Sequence, residues 1–473
     1  MKLFSKLSAG LGVAAATALT AMPAWAADLV KAPDVAAQAG MVNKGDTTWM
    51  LVSTALVLMM AVPALGLFYG GLVRTKNMLS VLMQTLMTFC ICSLVWACWG
   101  YSIAFTSGGE NHFFGGLSKM FLAGVTPATY AVTFSNNVYF PELVYFCFQM
   151  TFASITPALI VGAFAERIKF VPLMIFMVLW LTLVYCPIAH MVWYWAGPDF
   201  LPDTPNDYGY LWGLGALDFA GGTVVHINAG IAGLMGCLIV GKRIGYKTEP
   251  MPPHSLTMTM TGASLLWVGW FGFNVGSNLE ANGLAGLVFA NTFLATSAAA
   301  FAWAVIELIV HGKPSLLGGV TGAIAGLVAI TPACGFASPM TSILLGFVVS
   351  IVCFLMVTTV KNKLGYDDTL DVFGVHCIGG IVGAIGTAIV ADPALGGQGF
   401  VDYTVFPAVA GKYDMAAQII TQIKAVLLTL VWSGGISAVL FFILKLTMGL
   451  RPSAEVEQDG LDISEHGERA YNY

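Results

Sequence analysis

Charge is what this chain has least of. Only 10% of its 473 residues are Asp, Glu, Lys or Arg, while 58% are apolar; a soluble domain carries roughly a quarter charged. So few ionised groups cannot clothe a chain of this length in water, and lipid must cover much of it. Basic runs of the kind that neutralise phosphates are missing too, and the net charge is −5, which argues against nucleic acid as a partner. Metal-site spacing is equally absent. The nine cysteines, Cys90, Cys92, Cys98, Cys147, Cys186, Cys237, Cys334, Cys353 and Cys377, stand in apolar stretches without a CxxC pair. That offers neither a zinc site nor a disulfide framework, and they read as small buried hydrophobes.

What is present is apolar sequence in long runs. Lys2 and Lys6 precede an apolar run from Leu7 to Ala21 and the small-x-small triplet Ala24-Trp25-Ala26. This is the pattern of a secretory leader over 1–26, followed by an external segment, 27–46. Charge-free runs then cover 47–73, 77–109, 143–165, 170–198, 219–241, 250–279, 281–306, 314–360, 372–391 and 425–444. About 20 residues at 1.5 Å rise cross the hydrocarbon layer, so each run spans once and the longest, 314–360, spans twice. Thr331-Pro332 and Ser338-Pro339 mark its break. The stretch 120–141 carries Pro127, Asn136, Asn137 and Pro141 and reads as an external loop.

The expectation is an all-α polytopic membrane protein of eleven transmembrane helices over 47–450, with the N-terminus outside and a cytoplasmic tail, 451–473. Basic residues test the orientation separately. Arg74, Lys76, Arg167, Lys169, Lys242, Arg243, Lys361, Lys363 and Arg451 fall on the inner side with four more, whereas the outer side has Lys31, Lys44, Lys119, Lys412 and Lys424.

Two segments match each other: Val225-His226-Ile227-Asn228-Ala229-Gly230-Ile231-Ala232-Gly233 and Val375-His376-Cys377-Ile378-Gly379-Gly380-Ile381-Val382-Gly383. They fall on the fifth and tenth spans. Five helices separate them, so the copies form a five-plus-five inverted repeat, an arrangement that places a transport site between the halves. The glycines allow close helix packing. An ionisable group at bilayer depth costs a few kcal/mol and faces a cavity or partner, so histidines at both repeat positions mark a function. Measured from the centres of their runs, His226 and His376 would differ in depth by ~14 Å.

Phe148, Phe152, Trp193, Trp267, Trp270, Phe271 and Phe273 are candidates to line a path, with Ser277 beside its outer end. Aromatic faces attract a desolvating cation by ~0.5 to 2 kcal/mol. A bare ion would meet a far larger cost in the apolar segment beyond. A small weak base crossing uncharged would not, and a neutral imidazole, with one N–H and one lone pair, can hold it or relay a proton. Asp218 opens the fifth helix and reads as a cap. A membrane redox enzyme with His226 and His376 as axial haem ligands is the alternative of another class.

Gly66-Leu67-Phe68-Tyr69-Gly70-Gly71-Leu72-Val73-Arg74, the stretch Gly215 to Asn228, and Asp371-Val372-Phe373-Gly374-Val375-His376 together resemble the ammonium transporter, methylammonium permease and Rhesus family, most closely its bacterial ammonium transporters. The resemblance implies a homotrimer in a bacterial inner membrane with one pore per subunit, a transporter rather than an enzyme, and no cofactor. It implies that Phe152, Trp193 and Ser277 bind ammonium, with methylammonium as analogue, and that Phe152 and Phe273 gate the pore. His226 and His376 would be where a proton leaves, and Asp218 would serve structure and ion recruitment. The tail, Asp459-Gly460-Leu461-Asp462 with His466-Gly467-Glu468 and Ala470-Tyr471, resembles the family's cytoplasmic end, controlled by a PII-type nitrogen signalling protein. Such a polar tail otherwise reads as disordered. The outer loop 194–216 is longer than the common bacterial form. An ammonium sensor with little flux would share the same site.

Overall fold

The computed structural model describes residues 35–201, 203–403 and 408–471; the expected leader lies outside them. Long helices dominate: α1 (Lys44–Leu72), α2 (Thr75–Phe105), α3 (Glu142–Ala163), α4 (Phe170–Trp193), α5 (Gly222–Val240), α6 (Leu256–Gly276), α7 (Gly283–His311), α8 (Leu316–Ile330), α9 (Pro339–Leu364), α10 (Phe373–Val390) and α11 (Met415–Thr447). Among the described residues, nine of these are long and apolar enough to cross a membrane, the exceptions being α6 and α8. α6 has 21 residues and no charge, but threonines, a serine and glycines dilute its hydropathy; α8 has 15.

Local chemistry sets the helix ends. Asn43, Asn282, Ser315 and Asp414 each accept a backbone N–H from the first turn that follows, which satisfies donors the helix itself cannot. Ser338 and Thr341 form a reciprocal capping box at the start of α9. The run 314–360 therefore divides at its prolines, α8 ending at Ile330 and α9 beginning at Pro339. Other boundaries differ from the charge-free runs. α11 begins ten residues before its run, at Met415, and carries Lys424 on an exposed face; α5 begins at Gly222. One charge facing outward does not end a helix.

The stretch 120–141 is a loop bearing a 3-10 turn and an antiparallel hairpin, Tyr130–Val132 with Tyr139–Pro141. Six cysteines are buried, but Cys90 is exposed and Cys98 and Cys147 are half-buried. Burial inside the fold is therefore not general for them, because an apolar side chain on a membrane helix can equally face lipid.

Polar residues gather at the two ends of the bundle. At one end Arg74 and Arg243 both pair with Glu166, and Arg243 forks onto Asp367. The tail is folded onto this end rather than disordered. Arg451 grips Glu457, which also accepts Ile244 N; Asp462 accepts the N–H groups of Leu79 and Ser80; Asn77 accepts Leu461 N. At the opposite end Asp199 accepts from Asn136, Asn137 and Tyr139, and Glu280 accepts from Ser135. The long loop 194–216 packs there as well, with Trp195 stacked on Trp212. Between the ends, a glycine row on α6 presses against α1: a Cβ on Gly262 would lie 2.3 Å from Phe68 N, and one on Gly269 2.5 Å from Met60 Cβ. That approach carries Trp270 and Phe273 into the interior.

Candidate functional site

α5 and α10 are built alike. Each opens with a π-helical turn, at Gly222–Ile227 and Phe373–Cys377, and continues as 13 α-helical residues, Asn228–Val240 and Ile378–Val390. Equivalent positions stand 150 residues apart, as the two histidines do. The helices cross at glycines: a Cβ on Gly230 would lie 2.4 Å from Cys377 N, and one on Gly380 2.9 Å from Ile227 Cγ1. These two contacts are mates under the same offset. The partner number falls as the first rises, so the segments run in opposite directions.

The crossing brings the histidines together, with His226 Nδ1 3.3 Å from His376 Nδ1 and ring centroids 5.4 Å apart. The expected ~14 Å separation in depth is corrected by this contact. Each helix keeps nearly the bounds of its charge-free run, but the two meet through their first halves, between Ile227–Gly230 and Cys377–Gly380, so their centres do not share a depth. One Nδ1 must donate and the other accept. The pair therefore shares one proton, and exchanging the two tautomers moves it. His226 Nε2 is buried and has no partner in the protein. His226 borders a narrow cavity that His376, Tyr69, Phe68, Trp270 and Phe273 also line, with Met60, Leu65, Ile155, Leu159 and Leu266 among the residues of an apolar wall.

A column of rings leads away from the pair. Phe273 lies 6.1 Å from His226, Phe152 stacks on Phe273 at 4.2 Å, and Trp193 meets Phe152 edge-on at 5.7 Å. Phe152 and Phe273 are 1% and 0% exposed, so they close the column, whereas Trp193 is half-buried. Trp193 Nε1 donates to the Asp218 carbonyl at 2.9 Å. Ser277 caps α6 one turn beyond Phe273, and its hydroxyl donates to the Phe273 carbonyl at 2.8 Å, leaving its lone pairs as acceptors.

Asp218 is a cap in the fullest sense. Its carboxylate accepts the N–H groups of Gly221, Gly222, Thr223 and Val224 and the Thr223 hydroxyl. With five donors, this is a fixed acceptor for the opening of α5.

Two lining candidates do not join the column. Trp267 packs against Phe293, and Phe271 stacks on Phe289 at 4.1 Å. Both partners are about half exposed, at 49% and 45%, so these rings belong to the outer face of α6. Phe148 supports the column from behind, 5.0 Å from Phe152. Two residues escaped the sequence reading. Tyr69 lines the cavity although its motif was legible. Gln422 of α11 holds Leu217 through both its amide groups, at 2.8 and 2.7 Å, and fixes the approach to Asp218; the glutamines Gln418 and Gln422 in a largely apolar helix were the only signal.

The haem alternative fails on geometry. The two rings touch at 3.3 Å and leave no room for a macrocycle between them. Among the described residues, no group of three or more His, Cys, Asp or Glu side chains could hold a metal ion.

Comparison with known proteins agrees with this geometry. The chain is 44% identical to an ammonium transporter of Aquifex aeolicus over 430 residues, 91% of this chain and 94% of that one. It is 44% identical to an ammonium transporter of Bacillus subtilis over 429 residues, covering 90% and 98%. Among solved structures, Mep2 of Saccharomyces cerevisiae matches with a TM-score of 0.75 at 32% identity, covering 89% of this chain and 92% of that one. A protein described as a sensor Amt protein matches with a TM-score of 0.79 at 26% identity, covering 89% and 98%. The model of the Ammonium Transporter Family matches residues 48–471, and the chain is a member of that family.

Proposed function

We propose that this protein is a bacterial inner-membrane ammonium transporter that recruits ammonium at its outer end and conducts ammonia past the paired histidines. The observation that carries this reading is the contact of His226 with His376 in an apolar cavity closed by Phe152 on Phe273. Trp193 and Phe152 supply ring faces for the cation, and the Ser277 lone pairs accept one of its N–H groups. Beyond Phe273 the wall is apolar, so the ion must surrender a proton to go further. The unpartnered Nε2 of His226 faces ammonia, and the shared Nδ1 proton gives a route for that proton along the pair.

In this reading α1 to α11 all span, the end that carries the tail is cytoplasmic, and the two halves form an inverted repeat over 47–450. The distribution of basic residues and the antiparallel crossing of α5 and α10 support it. A leader over 1–26 and an external segment over 27–46 follow from the charge and apolar pattern that opens the sequence, and a homotrimer from the family resemblance. The tail, docked on the openings of α2 and α4 and on the loop after α5, offers a surface for a PII-type regulator.

The test is uptake of labelled methylammonium into vesicles holding the purified protein. Replacing both histidines, His226→Ala with His376→Ala, is expected to cut uptake at least tenfold, ~1.4 kcal/mol of barrier. Undiminished uptake at equal protein content removes the pair from the mechanism.

A further inference from the structure

Asp218 has a mate. The 150-residue offset that relates His226 to His376 carries Asp218 onto Asp368, and each carboxylate accepts an N–H at the opening of its helix, Asp368 Oδ2 from Phe373 N at 2.8 Å. There the likeness ends. Asp218 spreads its two oxygens over five donors, whereas Asp368 is 1% exposed and its Oδ1 has no partner. A buried carboxylate oxygen without a donor is costly while charged, and protonation removes that cost.

The surroundings do not neutralise it. Lys361 Nζ bonds the Asp368 backbone carbonyl at 2.6 Å and Asp371 Oδ1 at 2.7 Å rather than the Asp368 carboxylate. Asp371, Tyr69, Tyr366 and Cys237 are the other titratable groups within its field. Burial raises the Asp368 carboxyl, Lys361 pulls it back and Asp371 pushes it up again, leaving it at about 7. Tyr69 ties this loop to the path. Its ring lines the cavity of the two histidines, and a Cβ on Gly162 would lie 2.8 Å from both Tyr69 Cζ and Val372 Cγ2. The far end of the tyrosine and the segment that carries Asp368 therefore close on the same glycine, Gly162.

We infer that Asp368 is a reversible proton-binding site at the inner end of the conduction path, where its repeat mate Asp218 is a fixed cap. The inference rests on the conduction reading for the origin of the proton. An N–H bond of ammonium breaks to leave ammonia, the proton passes along the imidazole pair, and an O–H bond forms at Asp368 Oδ1. Release to cytosolic water breaks that bond and restores the carboxylate.

Difference infrared spectroscopy of the full-length purified protein tests the site without any flux. The wild type should lose a carboxylic-acid C=O stretch as pH rises through neutrality. Asp368→Asn should abolish that band, and Asp218→Asn should retain it. Two further variants keep the test open if Asp368→Asn fails to fold: Asp371→Asn should move the midpoint down and Lys361→Met up. No such band in the wild type, or a band that none of the Asp368, Asp371 and Lys361 variants changes, overturns the inference. Methylammonium uptake at varied internal pH then tests the role. Wild-type uptake should depend on internal pH around neutrality, and Asp368→Asn should lose that dependence while still taking up substrate. Dependence retained in that variant removes Asp368 from the path. A wild type with the band but no uptake would defeat the conduction reading and leave the proton site standing.

Discussion

A carboxylate that accepts five hydrogen bonds cannot be spared without leaving several buried donors unpaired. Asp218 is in that position, and its donors are consecutive N–H groups at the opening of α5 together with the Thr223 hydroxyl. Each orphaned buried group costs ~1–3 kcal/mol. Asp218→Ala is therefore expected to lower thermal stability by several kcal/mol, and Asp218→Glu by less, because it keeps the charge with poorer reach. Melting of purified protein in detergent compares them; equal stability of the alanine variant and the wild type would contradict the cap. The same residue holds Trp193 through its carbonyl, so loss of the cap should also weaken substrate recruitment at the outer end.

At the scale of elements, the crossing of α5 and α10 depends on two hydrogen atoms where a methyl group does not fit. Gly230→Ala would place Cβ 2.4 Å from a backbone nitrogen of Cys377, which no rotamer change relieves. Overpacking of this kind costs ~1–3 kcal/mol, and here it also separates the imidazoles. The expected result is reduced uptake together with a lower melting temperature. Gly435→Ala, at a position with open space around it, should leave both unchanged.

Much of this element pattern was legible beforehand. Runs without charge located the helices because lipid tolerates few ionised groups, and the repeat located both histidines. Their contact was not legible, because a charge-free run fixes where a helix begins and ends but not where along its length it crosses another, and α5 and α10 cross in their first halves. The same limit misassigned Trp267 and Phe271: in an apolar helix every face is greasy, so sequence cannot say which rings look inward. Gln422 and Asp368 were invisible as site residues because their meaning lies in what they touch.

Across the whole molecule, the tail-bearing end is an ion network whose members respond to acid in opposite ways. Burial alone would raise Glu166, but the bonds and charges of Arg74 and Arg243 hold it below the ordinary 4.5. Asp367 is likewise held below 3.8 by Arg243 and Arg167 against its burial. Lowered carboxyls contribute stability above their unfolded values and lose it as pH falls through the folded ones. Thermal stability should therefore drop as pH is taken below about 4.5, and Arg243→Gln should flatten that drop. A wild type whose melting temperature is constant across this window would count against the network. Asp368 carries the other sign: a raised carboxyl makes the fold less stable as pH climbs from 3.8 toward 7.

The antiparallel crossing has an electrical consequence as well. α5 and α10 overlap only through their first stretches, where Gly380 meets Ile227 and Gly230 meets Cys377. The positive poles of two macrodipoles therefore flank the imidazoles from opposite sides. Each pole is met by an acid, Asp218 at α5 and Asp368 at α10, so the field the main chain sets around the imidazoles depends on whether those two groups carry charge. The direction of the main chain thus decides where the two acids stand, one at each helix opening on opposite sides of the histidine pair.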